Sequence, residues 1–266
     1  VYCWRGGSRS ASMALVLSQI GWKVKLVKGG YKRYRTECRA ILDGAPSSLN
    51  FRILAGLTGS GKTELLVRLK EAGHQVLDLE GLANHRGSTL GAAGLGAQPT
   101  QKLFESHLAH ELRHYSEDRV VWVEAESSKV GEIQVPSELW AMMRMAPRLF
   151  VTVPMPVRIE RILKDYLYWI ENPEELKAIL VRLTSRHGKK RIQEWHELAD
   201  SGAWAELVES LLANHYDSAY TMKEKSHVEE PEETYHLESF AEEHVRHFID
   251  SCTSSAAASL ALIRET

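Results

Sequence analysis

The segment that most limits how this chain can fold reads Gly56-Leu57-Thr58-Gly59-Ser60-Gly61-Lys62-Thr63. It matches the P-loop pattern G-x-x-x-x-G-K-[ST], in which glycines let successive backbone N–H groups surround a phosphate. Apolar residues 51–55 predict a strand before it, and residues 62–72 predict a helix after it. Lys62 would reach the terminal phosphates, and Thr63 would hold a magnesium ion, the one metal contact that the sequence suggests. The predicted phosphate contacts are Gly56, Gly59, Ser60, Gly61, Lys62 and Thr63.

Acidic residues follow two later strand patterns: the later pattern ends in glutamates rather than the usual aspartate, which leaves Asp78 of the earlier pattern as the alternative. A P-loop that hydrolyses a nucleotide normally works with an aspartate at the end of an apolar strand. Here residues 120–123 run into Glu124, with Glu126 two residues further on, and Asp78 lies near the end of the pattern over residues 75–79. Phosphate binding is therefore predicted, whereas ATP hydrolysis is left open.

A second loop, Cys3-Trp4-Arg5-Gly6-Gly7-Ser8-Arg9-Ser10, precedes a helix predicted over residues 8–20. Nearby arginines and a helix N-terminus lower the pKa of a thiol, which makes Cys3 a candidate nucleophile with Arg5 and Arg9 beside it. The spacing Cys-x5-Arg-Ser resembles the loops of cysteine phosphatases and of rhodanese-type sulfurtransferases. The usual rhodanese loop has one residue fewer, so this longer loop favours a phosphate-sized anion.

Residues 78–88 (DLEGLANHRGS) form a third segment of interest. Its glycines favour a loop, and its position after a strand places it at the sheet edge where ligands of parallel sheets bind. The resulting candidates for substrate or anion contact are Asp78, His85, Arg86, Ser88 and Glu124.

Two basic groups are candidates for contact with nucleic acid, because aromatic residues for base stacking lie near each. One lies within residues 28–39, where Tyr31 and Tyr34 separate the charges, and the other within 182–191, close in sequence to Trp195. Taken by itself, each basic group is also explained as the solvent-exposed face of a helix, with no nucleic-acid contact. The candidate contacts are Lys32, Arg33, Arg35, Arg186, Lys189, Lys190 and Arg191.

Charge is unevenly distributed in a chain whose net charge is only −2. Residues 1–39 hold nine Lys or Arg and one Glu, whereas residues 223–266 hold ten acids and four bases, which predicts a polyanion-facing head and a solvated tail.

The three cysteines form no CxxC pair, so neither a disulfide framework nor a zinc site is expected, and Cys38 and Cys252 are expected to be structural. Without an apolar run of about 20 residues or a signal peptide, we expect a cytoplasmic protein with no membrane partner.

Together these segments resemble the tRNA 2-selenouridine synthase family. The resemblance covers residues 1 to about 220 and is carried by the two loops, residues 78–88, Lys28–Arg35 (KGGYKRYR), Val123–Gly131 (VEAESSKVG) and Pro136–Trp140. It implies a transferase that replaces sulfur by selenium in the wobble 2-thiouridine of tRNA, with selenophosphate and geranyl diphosphate as co-substrates. The family can first attach a geranyl group to the sulfur, which makes it a leaving group. Cys3 would then handle selenium, and we expect Gly56–Thr63 to bind geranyl diphosphate rather than consume ATP.

Alternating helix and strand patterns, together with the resemblance, predict an α/β fold. We expect the C-terminal remnant of a rhodanese domain, then a P-loop parallel-sheet domain with a helical C-terminal part. Because Val1-Tyr2-Cys3 opens as though in mid-strand, we also expect the chain to be a fragment. The expected divisions are a partial rhodanese-like domain at 1–42, a linker at 43–50, the P-loop domain at 51–155, a helical extension at 156–222 and an acidic, helical or loosely ordered tail at 223–266.

Two other functions remain open from the residues. One is a cysteine-loop sulfurtransferase or phosphatase fused to a P-loop small-molecule kinase, which would turn over a nucleotide and ignore tRNA. The other is a non-catalytic RNA-binding fragment, which would bind tRNA with Cys3 dispensable.

Overall fold

A five-stranded parallel sheet organises the computed structural model, which describes residues 1–86, 96–218 and 233–265, with side chains described up to residue 256. The strands of this sheet run in the order β2-β3-β1-β6-β7, and a separate antiparallel pair joins β4 to β5. The strands are β1 (Asn50–Gly56), β2 (Gln75–Leu77), β3 (Val120–Glu124), β4 (Lys129–Val130), β5 (Ile133–Gln134), β6 (Arg148–Thr152) and β7 (Glu233–His236).

Helices connect and cover these strands, as the sequence pattern predicts for a parallel sheet. They are α1 (Ser8–Gln19), α2 (Gly30–Gly44), α3 (Lys62–Glu71), α4 (Leu79–Ala83), α5 (Gln101–Leu112), α6 (Ser137–Met145), α7 (Met155–Asp165), α8 (Leu167–Glu171), α9 (Pro173–Leu180), α10 (Thr184–Asp200, interrupted at Gly188), α11 (Trp204–Leu211) and α12 (Glu242–Glu265). Short 3-10 turns cover Ala45–Ser48 and Val181–Leu183, and a π-helical turn covers Leu212–Tyr216.

The sheet buries a core on each face, because successive side chains of a strand point to opposite sides. Phe51 and Ile53 of β1 pack with α2, α5 and α6 on one face. Leu54, the residue after Ile53, points to the opposite side and packs with α3 and α12 on the other face. The predicted α/β class with a parallel sheet is therefore confirmed.

A third apolar cluster holds α8 to α11 together, away from the sheet. Trp169 and Trp195 are buried in it and Trp204 packs against it, so all three anchor the packing of these helices. The Trp195 indole N–H donates to Ser210 Oγ at 2.9 Å. Trp195 is thus a core residue, and the idea that it stacks on a nucleobase is wrong.

Three local expectations are wrong. Residues 23–27 alternate polar and apolar side chains, a pattern that favours a short strand, but they form none. The stretch expected as a linker, 43–50, instead completes α2, forms a 3-10 turn with buried Pro46, and begins β1. Residues 79–83 form the short helix α4 rather than a loop, because the Asp78 carboxylate caps the helix by accepting from the Gly81 N–H at 2.7 Å.

The expected division at residue 42 also fails. The second helix, α2, buries Cys38 and Leu42 in the core beside α5 and α6, so it belongs to the covering layer of the sheet. The Arg35 side chain is buried, forms an ion pair with Glu105, and donates to Ser106 Oγ at 3.0 Å. This contact ties α2 to α5, and it withdraws Arg35 from the predicted tRNA surface.

The C-terminal part, expected as an acidic, helical or loosely ordered tail, is helical over Glu242–Glu265 and packs on the sheet. Strand β7 pairs in parallel with β6, and α12 buries Val245, Phe248 and Cys252 against the sheet. An ion pair between Arg52 of β1 and Glu233 of β7 joins this part to the sheet centre. Within the described ranges, no helix combines the length and apolarity that a membrane span requires.

Candidate functional site

The P-loop follows β1 at the carboxyl edge of the sheet, next to the end of β3. After β1 the next strand of the sheet, β2, lies on one side, and after β3 the next strand, β6, lies on the other side. Ligands of parallel sheets bind at the strand ends where the connections diverge in this way. Gly59 and Gly61 have φ angles of +81° and +71°, which residues with a Cβ rarely adopt. A Cβ at Gly61 would lie 2.2 Å from the Phe240 ring, so close packing also requires glycine there. The strand, loop and helix context predicted from the sequence is present.

Lys62 and Ser60 both direct polar atoms into the loop. The Lys62 ammonium donates to the Gly56 carbonyl oxygen at 2.9 Å, and its burial lowers the pKa of Lys62, an effect that Glu80, Glu126 and Glu124 oppose. The Ser60 hydroxyl is buried and has no hydrogen-bond partner among the described atoms. Since buried hydroxyls are normally paired, this orphan points to a ligand that accepts a hydrogen bond in the loop.

A group of carboxylates lies beside the lysine. Register pairs Leu54 of β1 with Glu124 of β3, and this brings the buried Glu124 carboxyl to the loop. Glu124 accepts from the Glu80 N–H at 2.7 Å, and the Thr63 hydroxyl donates to Glu80 at 3.3 Å. Burial, followed by the negative charge of Glu126, raises the pKa of Glu80 to about 8. Burial also raises the pKa of Glu124, with Glu80 adding to the effect.

A magnesium ion would relieve this crowding of carboxylates. Mg²⁺ in phosphate sites takes one or two protein oxygens and fills its other positions with phosphate and water. Thr63 and Glu80 offer such a pair of oxygens beside the lysine. The described residues contain no group of three or more His, Cys, Asp or Glu able to hold a metal by itself. The donor set therefore fits Mg²⁺ only together with a phosphate ligand.

Helix α7 forms a basic wall over the P-loop, which the sequence analysis missed. Buried Arg158 donates from Nε to the Thr58 carbonyl oxygen at 2.8 Å and binds both oxygens of Asp217, at 2.7 and 3.0 Å. Arg161 pairs with Glu64 at 2.6 Å and lies over the Phe240 ring at 4.1 Å. Two arginines three residues apart, directly after a strand, were the sequence signal for this wall.

The other candidates near the P-loop have mixed outcomes. Asp78 caps α4, so its carboxylate has a structural partner. Arg86 lies over the Tyr166 ring at 4.9 Å and donates to the Asp165 carbonyl oxygen at 3.2 Å, close to α7. Burial lowers the pKa of His85, which favours a neutral imidazole. Ser88 lies outside the described residues.

The Cys3 loop wraps around the N-terminus of α2. The Cys3 and Trp4 carbonyl oxygens accept from the Tyr31 and Lys32 N–H groups at 3.0 and 2.8 Å. The Cys3 thiol lies 3.2 Å from the Ser10 hydroxyl, and hydrogen bonds from that hydroxyl and from backbone N–H groups lower the pKa of Cys3 to about 6. A lowered pKa agrees with the expectation for a nucleophile, but Ser10 is its main cause rather than the arginines. Arg5 and Arg9 are exposed at the loop rim.

The candidate tRNA contacts separate into exposed and paired side chains. Lys32, Arg186, Lys189 and Lys190 are exposed. Exposed Arg33 pairs with Glu37 within α2, and half-buried Arg191 pairs with Glu194 at 2.9 Å. Beside Lys32, the rings of Trp4 and Tyr31 are 5.3 Å apart and those of Tyr31 and Tyr34 are 6.0 Å apart. These three aromatic rings form a row next to the Cys3 loop.

Sequence comparisons with known proteins cover most of this chain. The family model described as the tRNA 2-selenouridine synthase AAA domain matches residues 49–251. A tRNA 2-selenouridine synthase from Aeromonas salmonicida is 36% identical over 92% of this chain and 73% of its own length, and one from Shewanella loihica is 32% identical over 83% and 65%. One from Pseudomonas syringae is 41% identical over 63% of this chain and 45% of its own length.

Among solved structures, a gluconokinase from Sinorhizobium meliloti 1021 aligns with 79% of this chain and 94% of its own. The identity is 15% and the TM-score 0.33, so this alignment carries no argument. The family assignment depends instead on the sequence matches, which span the P-loop, the carboxylate group and the basic wall of α7. The chain belongs to the tRNA 2-selenouridine synthase family.

Proposed function

We propose that this protein replaces sulfur by selenium in the wobble 2-thiouridine of tRNA, in the cytoplasm, with selenophosphate as selenium donor and a geranylated thiouridine as intermediate. Because the chain spans between 45% and 73% of the length of the three relatives compared above, the activity of those proteins is a proposal for this one. One observation carries it: a P-loop and a cysteine whose thiol pKa is about 6 lie in one chain of this family.

The P-loop suits the geranylation step. The thiouridine sulfur attacks the carbon that bears the diphosphate, the carbon–oxygen bond breaks, and pyrophosphate leaves with its negative charge. Lys62 and the loop N–H groups stabilise that charge. Thr63 and Glu80 would hold Mg²⁺ with the diphosphate, and the ion would neutralise the leaving group further. Departure of pyrophosphate needs no water positioned for ATP hydrolysis.

The Cys3 loop suits the selenium step. At neutral pH a thiol with a pKa of about 6 is mainly thiolate, which makes Cys3 a nucleophile for handling selenium. Arg5 and Arg9 at the loop rim would bind the phosphate group of selenophosphate. Selenium of selenophosphate attacks the pyrimidine carbon that bears the geranylated sulfur, and geranylthiolate leaves. The Cys3 thiolate then attacks phosphorus, the selenium–phosphorus bond breaks to release the 2-selenouridine, and water frees phosphate from the thiol.

The surface beside Cys3 suits an unpaired RNA loop. The aromatic row Trp4, Tyr31 and Tyr34 is partly exposed and can stack on splayed bases, and Lys32 and Arg33 lie next to it for phosphate contact. The exposed cations Arg186, Lys189 and Lys190 of the helical part are proposed to hold the tRNA backbone further away, with Arg191 beside them.

The direct test is mass analysis of the wobble nucleoside. The protein is incubated with 2-thiouridine tRNA, selenophosphate, geranyl diphosphate and Mg²⁺. We expect geranylated 2-thiouridine to form first and 2-selenouridine to follow. ATP hydrolysis in proportion to product would instead support the kinase-like alternative. Tight tRNA binding with no modified nucleoside would support the RNA-binding alternative.

A further inference from the structure

A wide polar cleft lies between α2, α5, α6 and the β4–β5 hairpin, on the face of the sheet opposite to α3. It encloses about 990 Å³ of empty space, its wide opening included, within the range of roughly 300–1,000 Å³ typical of small-molecule pockets. The segment Pro136–Trp140, which carries part of the family resemblance, forms one side of it. No step of the proposed function uses this cleft.

Trp140 supplies a flat aromatic wall. The side chain is half-buried, because it packs against the core below α2, α5 and α6 and also lines the cleft. Val135 and Pro136 extend the apolar surface beside it. An aromatic ring held in place by its neighbours is suited to stacking on another planar group, as aromatic side chains do with unpaired bases.

Polar side chains with unused hydrogen-bonding groups lie around this wall. Arg39, Asp43 and Ser137 line the cleft and are exposed, and no ion pair or hydrogen bond joins their side chains to another residue in the described ranges. They offer donors and an acceptor together. The edge of a nucleobase presents the matching mixture of acceptors and donors.

The floor of the cleft is fixed without a ligand. The Gln101 side chain donates to the Gln134 carbonyl oxygen at 2.8 Å and accepts from the Gln134 N–H at 2.9 Å, which clamps α5 to β5. Glu105, which also lines the cleft, forms an ion pair with buried Arg35 of α2. A ligand would therefore bind a preorganised surface and would have few side chains to order.

Helix α2 leads from the Cys3 loop to this cleft. Tyr31 of the aromatic row is followed by Arg35, Arg39 and Asp43, each four residues after the previous one, so that each is the neighbour of the last on the helix surface. At a rise of 1.5 Å per residue, Arg39 lies about 12 Å along the helix from Tyr31. When a wobble uridine lies at the Cys3 loop, its neighbours in the same unpaired RNA loop are within reach of the cleft.

We propose that this cleft binds an unpaired base of the tRNA anticodon loop, close to the wobble uridine, with the base stacked on Trp140 and its edge hydrogen-bonded to Asp43 and Ser137. Arg39 at the rim contacts the adjoining phosphate. The opposite charges of Arg39 and Asp43 favour a neutral base inside the cleft over a bare phosphate. The proposal rests on the proposed function, because it takes tRNA as the substrate, and it adds a site that recognises a base other than the modified one.

Abasic nucleotides give the first test. The full chain is titrated with labelled stem-loop RNAs that carry 2-thiouridine at the wobble position and lack one neighbouring loop base at a time. We expect one abasic position to lower the affinity at least about fivefold, the loss of one stacked base. Trp140→Leu should bind the intact RNA as weakly as the wild-type protein binds that abasic RNA, and should lose nothing further on the abasic RNA. Trp140→Phe, which keeps a ring, should retain most of the affinity.

The outcomes of this titration separate the cleft from the proposed function. If every abasic RNA binds as tightly as the intact one, or if Trp140→Leu weakens the binding of all the RNAs equally, no base is stacked in the cleft and the proposal is overturned. The proposed modification of tRNA would then still stand. If the wild-type protein binds none of the RNAs, the proposed function and the cleft proposal fail together.

Arg39→Ala gives a second test that leaves the core undisturbed, because Arg39 is exposed. Loss of one phosphate contact should weaken binding of the intact RNA and reduce the slope of log affinity against log salt concentration by about one. Arg144→Ala is the matched control, since Arg144 is exposed on α6 and does not line the cleft. Equal effects of the two substitutions would indicate a diffuse effect of charge and would overturn the proposed contact of Arg39.

Discussion

The pKa of the Cys3 thiol depends mainly on one neighbouring hydroxyl, that of Ser10. Its pKa of about 6 has the Ser10 hydrogen bond as its largest cause, and the guanidinium charges of Arg5 and Arg9 are not among the causes. The helix start was visible in the sequence, and its N–H groups do lower the pKa of Cys3, whereas the arginine charges on which the prediction also relied do not. The dominant contact was not visible, because Ser10 looks like any polar residue in the first turn of a helix until the loop is folded.

We predict that Ser10→Ala raises the pKa of Cys3 from about 6 toward the ordinary thiol value of about 8.5. A lowered pKa keeps the thiolate present at lower pH. The variant should therefore react more slowly than the wild-type protein mainly between about pH 6 and about pH 8.5. The measurement is the rate of alkylation by iodoacetamide as a function of pH, which should converge for both proteins at high pH. Ser8→Ala is the control from the same turn. An unchanged midpoint in Ser10→Ala would show that backbone N–H groups alone set the pKa.

Helix α7 shows how an element outside a motif completes the site. Arg158 donates a hydrogen bond to the Thr58 carbonyl oxygen of the P-loop, and Arg161 lies over the Phe240 ring beside the loop. Both arginines follow the loop by about 100 residues in sequence. The motif predicted its own strand, loop and helix, because local residues determine them. The spacing of the two arginines after a strand indicates a basic helix face, but its position over the P-loop depends on where β6 lies in the sheet, which sequence spacing does not give.

Arg158→Ala should destabilise the protein by about 3 kcal/mol, because it leaves Asp217 without its bidentate partner and breaks the bond to Thr58. Equilibrium unfolding in urea measures this loss. The control is Arg191→Ala, whose ion pair with Glu194 is half-exposed and should cost under about 1 kcal/mol. If both substitutions lowered the free energy of unfolding by the same small amount, the contacts of Arg158 with Thr58 and Asp217 would not stabilise the fold.

The first two helices should differ in protection from hydrogen exchange. Ser10 is the one buried residue of α1, whereas α2 buries Arg35, Cys38 and Leu42 against the sheet domain. We expect α1 amides to exchange much faster than those of α2, β1 and β3, as measured by mass spectrometry of peptic fragments. Protection of α1 equal to that of β1 would contradict this assignment of its packing.

Across the whole molecule, the least predictable feature was that the C-terminal part adds a strand to the sheet and covers it with a helix. Residues 233–236 read Glu-Thr-Tyr-His within a strongly acidic stretch, so the charge pattern favoured a solvated tail over strand β7. Val245, Phe248 and Cys252 do follow helical spacing, and this was the available signal that α12 is a covering helix. Among the described acids, Glu242, Glu243 and Asp250 were misleading because they lie on the exposed face of α12, whose inner face packs on the sheet.

We propose that one chain holds two chemically distinct sites, with diphosphate departing at the P-loop and selenium handled at Cys3. Mass analysis of wobble nucleosides from Lys62→Ala and Cys3→Ser, each given 2-thiouridine tRNA or already geranylated tRNA, tests it directly. We predict that Lys62→Ala forms no geranylated nucleoside yet selenates geranylated tRNA at close to the wild-type rate. Cys3→Ser should geranylate normally, keep its affinity for tRNA, and form no 2-selenouridine. If Lys62→Ala fails equally on both substrates, or Cys3→Ser selenates at the normal rate, the two-site mechanism is wrong.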